Sequence, residues 1–230
     1  SMLLQVPDRE NPDRLEEMVL QPKMYEIFKE YLGWNRIMDL KSVGEFNRAC
    51  QNNQAFNLIK IAEALHEKKV ASIADMIQQR PKVKVVMISG PSSSGKTTFS
   101  KRLSIQLLVS GLKPKSISLD NYFVDREHTP RDENGDWDFE ALHALDLPFF
   151  NQQLNQLMNG EEISLPTYSF EDGKRYFKGE KLRLEEDTIL IMEGIHALNP
   201  ELIQSISHDA IFKIYVSALT TISIDEHNWI

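Results

Sequence analysis

The sequence lacks the features that mark secreted and membrane-spanning proteins. A single cysteine, Cys50, occurs among its 230 residues, which excludes an internal disulfide and fits a reducing compartment. No apolar run approaches the roughly 20 residues of a membrane span, and no signal-peptide pattern opens the chain. We therefore expect a cytoplasmic protein without a membrane partner, in which a lone cysteine is weak support for a nucleophile.

Positive charge is also scarce. Lysine and arginine together number 26, against 34 aspartates and glutamates, for a formal net charge of −8. An acidic surface repels nucleic acid and anionic membranes, so nucleic acid is disfavoured as a partner. Residues 1–82 contain neither a metal-ligand cluster nor a basic run, and the chain has no internal repeat.

What the sequence does contain is a phosphate-binding loop. The run Gly90, Pro91, Ser92, Ser93, Ser94, Gly95, Lys96, Thr97 and Thr98 fits the pattern G-x-x-x-x-G-K-[ST]. A β-branched apolar run, residues 83–89, precedes it, and apolar residues at helical spacing follow it, as this loop requires. The two glycines allow successive backbone N–H groups to point at one anion. Lys96 can reach the β- and γ-phosphate oxygens of a bound nucleoside triphosphate, and the Thr97 hydroxyl suits Mg²⁺.

The pattern of elements predicts two regions. Residues 1–82 read as a helical accessory region whose apolar stripes, such as Met24, Ile27, Phe28 and Tyr31, are expected to pack in a core. From residue 83 to 230, strands and helices alternate, which favours an α/β fold with a mostly parallel sheet and flanking helices. Strands are predicted at 83–89, 116–119, 162–165, 188–192 and 210–216, helical stretches at 140–145, 149–158 and 200–206, and a hairpin at 175–184 that turns at Lys178-Gly179-Glu180.

Two carboxylates follow predicted strands. Asp120 comes after the strand at 116–119, and Glu193 after the strand at 188–192. Ligands bind beyond the carboxyl ends of such strands, so both acids and the phosphate loop are expected at one edge of the sheet. This arrangement suits phosphoryl transfer, although a turn-forming Asp120 and a solvated Glu193 are the structural alternatives.

Four motifs together make the resemblance specific. They are Gly90–Thr98, Leu119–Phe123, Pro166–Tyr168 and Ile191–Ile195. Over about residues 83–217 the chain resembles the uridine kinase/phosphoribulokinase family of P-loop kinases, and the uridine kinases within it. The resemblance implies ATP-dependent phosphorylation of the 5′-hydroxyl of a uridine-like or cytidine-like nucleoside, with ATP and Mg²⁺ as cofactors.

The resemblance also implies roles for individual residues. Lys96 and Asp120 would be catalytic, with Asp120 as the base, and Thr97 and Glu193 would be on the Mg²⁺ side. Acceptor binding would fall to Tyr122, Asp138, Tyr168 and Arg175. A solvated acidic loop is the alternative for Asp138, and a core aromatic position is the alternative for Tyr168.

The chain departs from the family pattern in two places. The histidine that the family carries shortly after the tyrosine matching Tyr168 aligns with Gly173, so the base preference stays open. The arginine-bearing lid expected after residues 210–216 does not follow. Together with the start at Ser1-Met2, typical of a cloning remnant, this predicts a chain shortened at both ends and poorly active without its lid.

Two other functions compete with a nucleoside kinase. One is a related small-molecule kinase acting on a sugar phosphate or a pantothenate-like alcohol, although the acidic segment 120–140 favours a neutral acceptor. The other is a nucleotide-dependent switch or adaptor. Against the switch, Gly194-Ile195 stands where a switch would have Asp-x-x-Gly, and no Asn-Lys-x-Asp occurs. The helices of residues 1–82 are expected to serve packing or homo-oligomerisation.

Overall fold

The computed structural model describes residues 11–15, 22–203, 206–218 and 222–225. These residues form two units, one within Ser1–Leu65 and Thr220–Ile230 and the other within His66–Leu219. None of the helices in the described ranges has the length and apolar character needed to cross a membrane. The predicted division into an accessory region, residues 1–82, and a functional domain, residues 83–230, stays a prediction.

The first unit is helical, as predicted. It contains α1 (Pro22–Ile37), α2 (Val43–Gln51) and the beginning of α3 (Ala55–Gln78). Helix α2 begins after Ser42, whose side-chain oxygen accepts the N–H of Glu45 at 3.4 Å, and this bond satisfies one free amide of the first turn.

The prediction that the α1 stripe packs in a core is wrong for most of its residues. Met24 is 61% exposed and Ile27 is 55% exposed, whereas Leu40 is the apolar residue that the described part of this unit buries. Helical spacing indicates an apolar face but does not show that another element covers it, so it did not predict burial here.

The second unit contains a parallel sheet and a separate hairpin. In chain order its elements are β1 (Val85–Ser89), α4 (Lys96–Val109), β2 (Lys113–Ser118), α5 (Leu147–Met158), β3 (Ile163–Ser169), β4 (Lys174–Leu182), β5 (Thr188–Glu193) and β6 (Ile211–Tyr215). The sheet has the order β2-β5-β1-β6, and every pair in it is parallel. The predicted α/β class is confirmed.

Successive residues of the central strands enter two different cores. Val85 and Met87 of β1 belong to the α5-side cluster, which also contains Phe150 and Leu154 of α5 and Tyr168 of β3. Val86 and Ile88 belong instead to the α4-side cluster, with residues of α4 and of the last turns of α3: Val70, Ala74, Ile77, Phe99, Leu103 and Leu107. This alternation is why β1 and β5 read as continuous apolar runs, since both of their faces are covered.

The hairpin differs from its prediction. Strands β3 and β4 are antiparallel, with Ser169 opposite Lys174, so the chain turns at residues 170–173. The predicted turn at Lys178-Gly179-Glu180 is wrong, because Gly179 lies inside β4. Ser169 closes the actual turn, since its hydroxyl donates to Asp172 at 2.8 Å and its carbonyl accepts the N–H of Gly173 at 2.7 Å.

Two of the predicted helical stretches are shorter than expected or absent. Within 140–145 only a 3₁₀ turn forms, at Leu142–Ala144. The described residues of 200–206 form turns and bends instead of a helix.

Candidate active site

The register of the sheet aligns the ends of three strands. Glu193 at the end of β5 lies opposite Ile88 of β1 on one side and Ser118 of β2 on the other. The phosphate loop leaves β1 two residues after Ile88, and Asp120 follows Ser118 by two residues. The sheet therefore brings the loop, Asp120 and Glu193 to one edge, where parallel α/β sheets bind ligands.

The first residue of the phosphate loop is closed in by backbone. A Cβ on Gly90 would lie 2.1 Å from the carbonyl oxygen of Val216, so only glycine fits there. The N–H of Val216 in turn donates to the Ser89 carbonyl at 2.7 Å, which fixes this approach. The loop is thus anchored between β1 and the residue that follows β6.

The rest of the loop curls ahead of α4. Ser93 and Gly95 have φ values of +59° and +88°, and the N–H of Ser94 donates to the Pro91 carbonyl at 3.2 Å. The Ser94 hydroxyl oxygen is buried and has no hydrogen-bond partner among the described residues. Pro91, Ser92, Ser93 and Thr98 are exposed. Such a curl in front of a helix N-terminus directs backbone N–H groups toward an anion.

Lys96 opens α4 and folds its side chain back over the loop. Its Nζ donates to the carbonyl oxygens of Gly90 at 3.0 Å and of Pro91 at 2.8 Å. The ammonium group therefore already lies at the mouth of the loop, within reach of any phosphate bound there.

Thr97 and Glu193 meet across the same edge. The Thr97 hydroxyl donates to Oε1 of Glu193 at 2.9 Å. A hydroxyl and a carboxylate are hard oxygen ligands of the kind Mg²⁺ prefers, and Mg²⁺ commonly takes its remaining ligands from phosphates and water. No group of three or more His, Cys, Asp or Glu side chains suited to a metal occurs among the described residues. A metal here would therefore depend on a nucleotide for part of its coordination.

Asp120 lies in the 3₁₀ turn Leu119–Tyr122, directly after β2. Its N–H donates to the Ser118 hydroxyl at 3.4 Å, so Ser118 caps the turn. Partial desolvation and the negative charge of Glu193 raise the pKa of the Asp120 carboxyl, while Lys96 and His196 oppose that rise. A carboxylate with a raised pKa accepts a proton more readily, which is the property that a general base needs.

Asp138 stands in a turn-rich segment between β2 and α5. Its Oδ1 accepts the N–H groups of Glu140 at 2.9 Å and of Ala141 at 3.0 Å, which orients the carboxylate. Both of these hydrogen bonds end on Oδ1, not on Oδ2. One oxygen thus shapes the loop, and the other is available to a ligand hydroxyl.

The two tyrosines predicted to bind the acceptor are buried. Tyr122 is 1% exposed, and its hydroxyl donates to Oε1 of Gln153 in α5 at 3.0 Å, so in this conformation it is a core residue. Tyr168 is 7% exposed, and its hydroxyl is buried without a hydrogen-bond partner among the described residues. Desolvation raises the pKa of both hydroxyls.

Arg175 braces the hairpin. Its Nη2 donates to the carbonyl of Phe123 at 3.0 Å and to Oδ2 of Asp146 at 2.9 Å, and its guanidinium stacks over the Phe149 ring. With its side chain only 15% exposed, Arg175 connects β4 to the segment that follows Asp120 and to the N-cap of α5.

A cluster of aromatic rings, which sequence reasoning missed, joins the segments that contain Asp120, Asp138 and Tyr168. The ring centroids of Phe123, Tyr168 and Phe170 lie within 5.1–5.6 Å of one another, and Phe139 lies 5.8 Å from Phe123. We call these four residues the aromatic cluster. Phe123 lies three residues after Asp120, and Phe139 directly follows Asp138. The cluster therefore brings together segments that are widely separated in the sequence.

The chain matches a family model described as the phosphoribulokinase/uridine kinase family over residues 85–227. A uridine kinase of Schizosaccharomyces pombe is 34% identical over 136 residues, which are 57% of this chain and 28% of that protein. A uridine kinase of Lactobacillus helveticus is 30% identical over 141 residues, 61% of this chain and 64% of that protein. The chain thus spans less than two thirds of the length of either relative.

Among solved structures, the chain is similar to that of a possible uridine kinase from Bacillus stearothermophilus. The identity is 26% and the TM-score is 0.47, with 58% of this chain and 70% of that chain covered.

Proposed function

This chain belongs to the phosphoribulokinase/uridine kinase family, and we propose that it transfers the γ-phosphoryl group of ATP to the 5′-hydroxyl of a nucleoside. Uridine and cytidine are the expected acceptors, as in pyrimidine salvage. We also propose a cytoplasmic location, which the single exposed cysteine favours.

One observation carries the proposal: the phosphate loop, Asp120 and Glu193 lie at the same edge of the sheet. Phosphoryl transfer needs a cradle for the phosphates, positive charge to offset the developing negative charge, and a group that accepts the proton of the attacking hydroxyl. The loop with Lys96 supplies the first two, and Asp120 supplies the third.

The nucleotide side works through the loop and its lysine. On ATP binding, Lys96 exchanges the carbonyls of Gly90 and Pro91 for oxygens of the β- and γ-phosphates, which form stronger, charge-assisted bonds. Thr97 and Glu193 would hold Mg²⁺ together with the phosphates. When bound, the ion would neutralise phosphate charge.

The acceptor side works through Asp120 and Asp138. As the acceptor oxygen forms its bond to the γ-phosphorus and the bond from that phosphorus to ADP breaks, the hydroxyl proton passes to the Asp120 carboxylate. Asp138 would accept hydrogen bonds from the ribose 2′- and 3′-hydroxyls through Oδ2. Tyr168 would contribute to the wall of the acceptor site, while Arg175 and the buried Tyr122 would support that wall from behind.

Incubation with Mg²⁺·ATP and a panel of acceptors tests this function. The panel contains nucleosides, sugar phosphates and pantothenate, and products are identified by mass spectrometry. We expect a nucleoside 5′-monophosphate, and we expect Lys96→Ala to abolish its formation. A phosphorylated product from another acceptor would move the chain to a different member of the family. ATP hydrolysis that no acceptor changes would favour a nucleotide-dependent switch.

A further inference from the structure

The turn of the β3–β4 hairpin is tied to the segment after Asp120 by one arginine. The Nη2 of Arg126 donates to the carbonyl oxygens of Phe170 and of Glu171, the latter at 3.4 Å. Its backbone N–H donates to the carbonyl of Gly173 at 2.8 Å. A single residue thus bonds to three of the four residues of the turn.

The packing between Arg126 and Gly173 leaves no room for another side chain. A Cβ on Gly173 would lie 2.7 Å from both Cβ and Nε of Arg126 and 2.9 Å from Cζ, and Gly173 has a φ of +67°. The arginine side chain therefore lies directly across the glycine backbone. Residue 173 cannot present a side chain to the acceptor while Arg126 keeps this position.

The turn that Arg126 holds carries an exposed aromatic ring. Phe170 is 53% exposed, although its ring contacts Phe123, Phe139 and Tyr168 in the aromatic cluster. Both side-chain bonds of Arg126 end on main-chain carbonyls, one of them of Phe170 itself. They therefore fix the backbone from which this ring projects. Three further bonds tie the hairpin to the same segment, from Tyr168 N–H to Asn121, from Arg175 N–H to Asp125 and from Arg175 Nη2 to the Phe123 carbonyl.

We propose that Arg126 is a positioning residue for the acceptor. It orders the turn 170–173 so that Phe170 stands next to the segments of Asp120 and Asp138, and it does not itself contact the reacting atoms. The guanidinium suits this task because its planar group of donors is pre-organised, so less side-chain entropy is lost per hydrogen bond than for a lysine. The role in acceptor binding rests on the proposed function, whereas the ordering of the turn does not.

The variants R126A and R126K test this role, with K181A as the matched control. Lys181 is also a cation of this hairpin, but it lies in β4 at the end opposite the turn, where it pairs with Glu162 at 2.8 Å. In R126A, loss of charge-assisted bonds should raise the acceptor KM about tenfold, while kcat and the KM for ATP change little. R126K should fall between R126A and wild type, and K181A should match wild type. R126K also serves as the test variant if R126A does not fold.

Hydrogen–deuterium exchange of peptides covering 166–177 gives a readout independent of activity. We expect faster exchange there in R126A than in wild type, with exchange in α4 unchanged. Unchanged exchange in 166–177 would overturn the proposal, as would faster exchange with an unchanged acceptor KM. Equal rises in both KM values, or a loss confined to kcat, would also overturn it. If no acceptor in the panel is phosphorylated, the proposed function fails, and exchange alone decides whether Arg126 holds the turn.

Discussion

The folded environment of Asp120 disfavours the negatively charged form of its carboxyl group. Desolvation and the nearby carboxylate of Glu193 raise its pKa, so the ionised form is less stable in the folded protein than in the unfolded chain. The folded protein therefore carries a cost at neutral pH that is relieved as the pH falls through the raised pKa. A site that needs a proton acceptor commonly carries such a cost in stability.

The variant Asp120→Asn separates these two effects. We expect kcat to fall by about 10²-fold or more, because the amide cannot accept the hydroxyl proton, while ATP still binds. The melting temperature of the ligand-free variant at neutral pH should exceed that of wild type, since the unfavourable charge is gone. This gain should shrink as the pH is lowered, because wild-type Asp120 then becomes protonated. Steady-state kinetics and thermal melts between pH 4 and 8 measure both effects.

Asp209→Asn is the matched control for this prediction. Asp209 pairs with Lys82 at 3.5 Å on the surface, where an ion pair contributes little, so neither kcat nor melting should change appreciably. An unchanged kcat in Asp120→Asn would remove Asp120 from proton transfer. A lower melting temperature would contradict the unfavourable charge.

Gly90 gives a second prediction for a single residue. Gly90→Ala would place a methyl group 2.1 Å from the Val216 carbonyl, so β1 and the segment after β6 would have to move apart. We expect the free energy of unfolding to fall by about 1–3 kcal/mol, measured by urea denaturation. Gly33→Ala in α1 is the control, because its methyl group would meet open space and alanine favours helix. Equal stability of Gly90→Ala and wild type would contradict this close approach.

At the scale of elements, the strands of the sheet were predictable and the hairpin was not. Strands β1 and β5 are short β-branched apolar runs, and their positions follow from that pattern alone. The hairpin was misplaced because Gly179 stands out in the sequence as a turn residue, whereas the chain turns at residues 170–173. A glycine inside a strand and a glycine in a turn look alike until the pairing is known.

Some residues of the candidate site were likewise predictable from the sequence, and others were not. The phosphate loop, Asp120 and Glu193 were predictable because each lies at or just beyond the end of a recognisable strand. The aromatic cluster was not, since Phe123, Phe139 and Phe170 are brought together only by tertiary packing. Arg126 gave no local signal either, because its partners are carbonyl oxygens more than forty residues away in the sequence.

The hairpin depends on Arg175 as a brace. Arg175→Ala would leave Oδ2 of Asp146 and the Phe123 carbonyl without a donor that they now share at 2.9 and 3.0 Å. We expect a loss of about 2–3 kcal/mol in the free energy of unfolding, measured by denaturant titration. Lys181→Ala removes an exposed ion pair of the same hairpin and should cost less than about 1 kcal/mol. Equal losses in the two variants would contradict the role of Arg175 as a brace.

At the scale of the whole molecule, nucleotide binding should appear as thermal stabilisation. A ligand at about 100 times its Kd that binds only the folded state adds about 2.7 kcal/mol, which corresponds to about 5–10 °C in melting temperature for a chain of this size. We expect this shift with Mg²⁺·ATP in wild type and its loss in Lys96→Ala. Thermal melts with and without nucleotide measure it, and an equal shift in both proteins would remove Lys96 from nucleotide binding.

The two clusters on opposite faces of the sheet also bear on how this molecule can change during evolution. The α4-side cluster supports the phosphate loop through Phe99, Leu103 and Leu107, whereas the α5-side cluster contains Tyr122, Phe123 and Tyr168. Substitutions in separate clusters with no shared partners have nearly additive effects. Under the proposed function, the α5-side residues can therefore be substituted while the support of the phosphate loop stays intact. If this chain performs the proposed transfer, descendants with the same sheet could exchange one alcohol for another and still use the same phosphoryl donor.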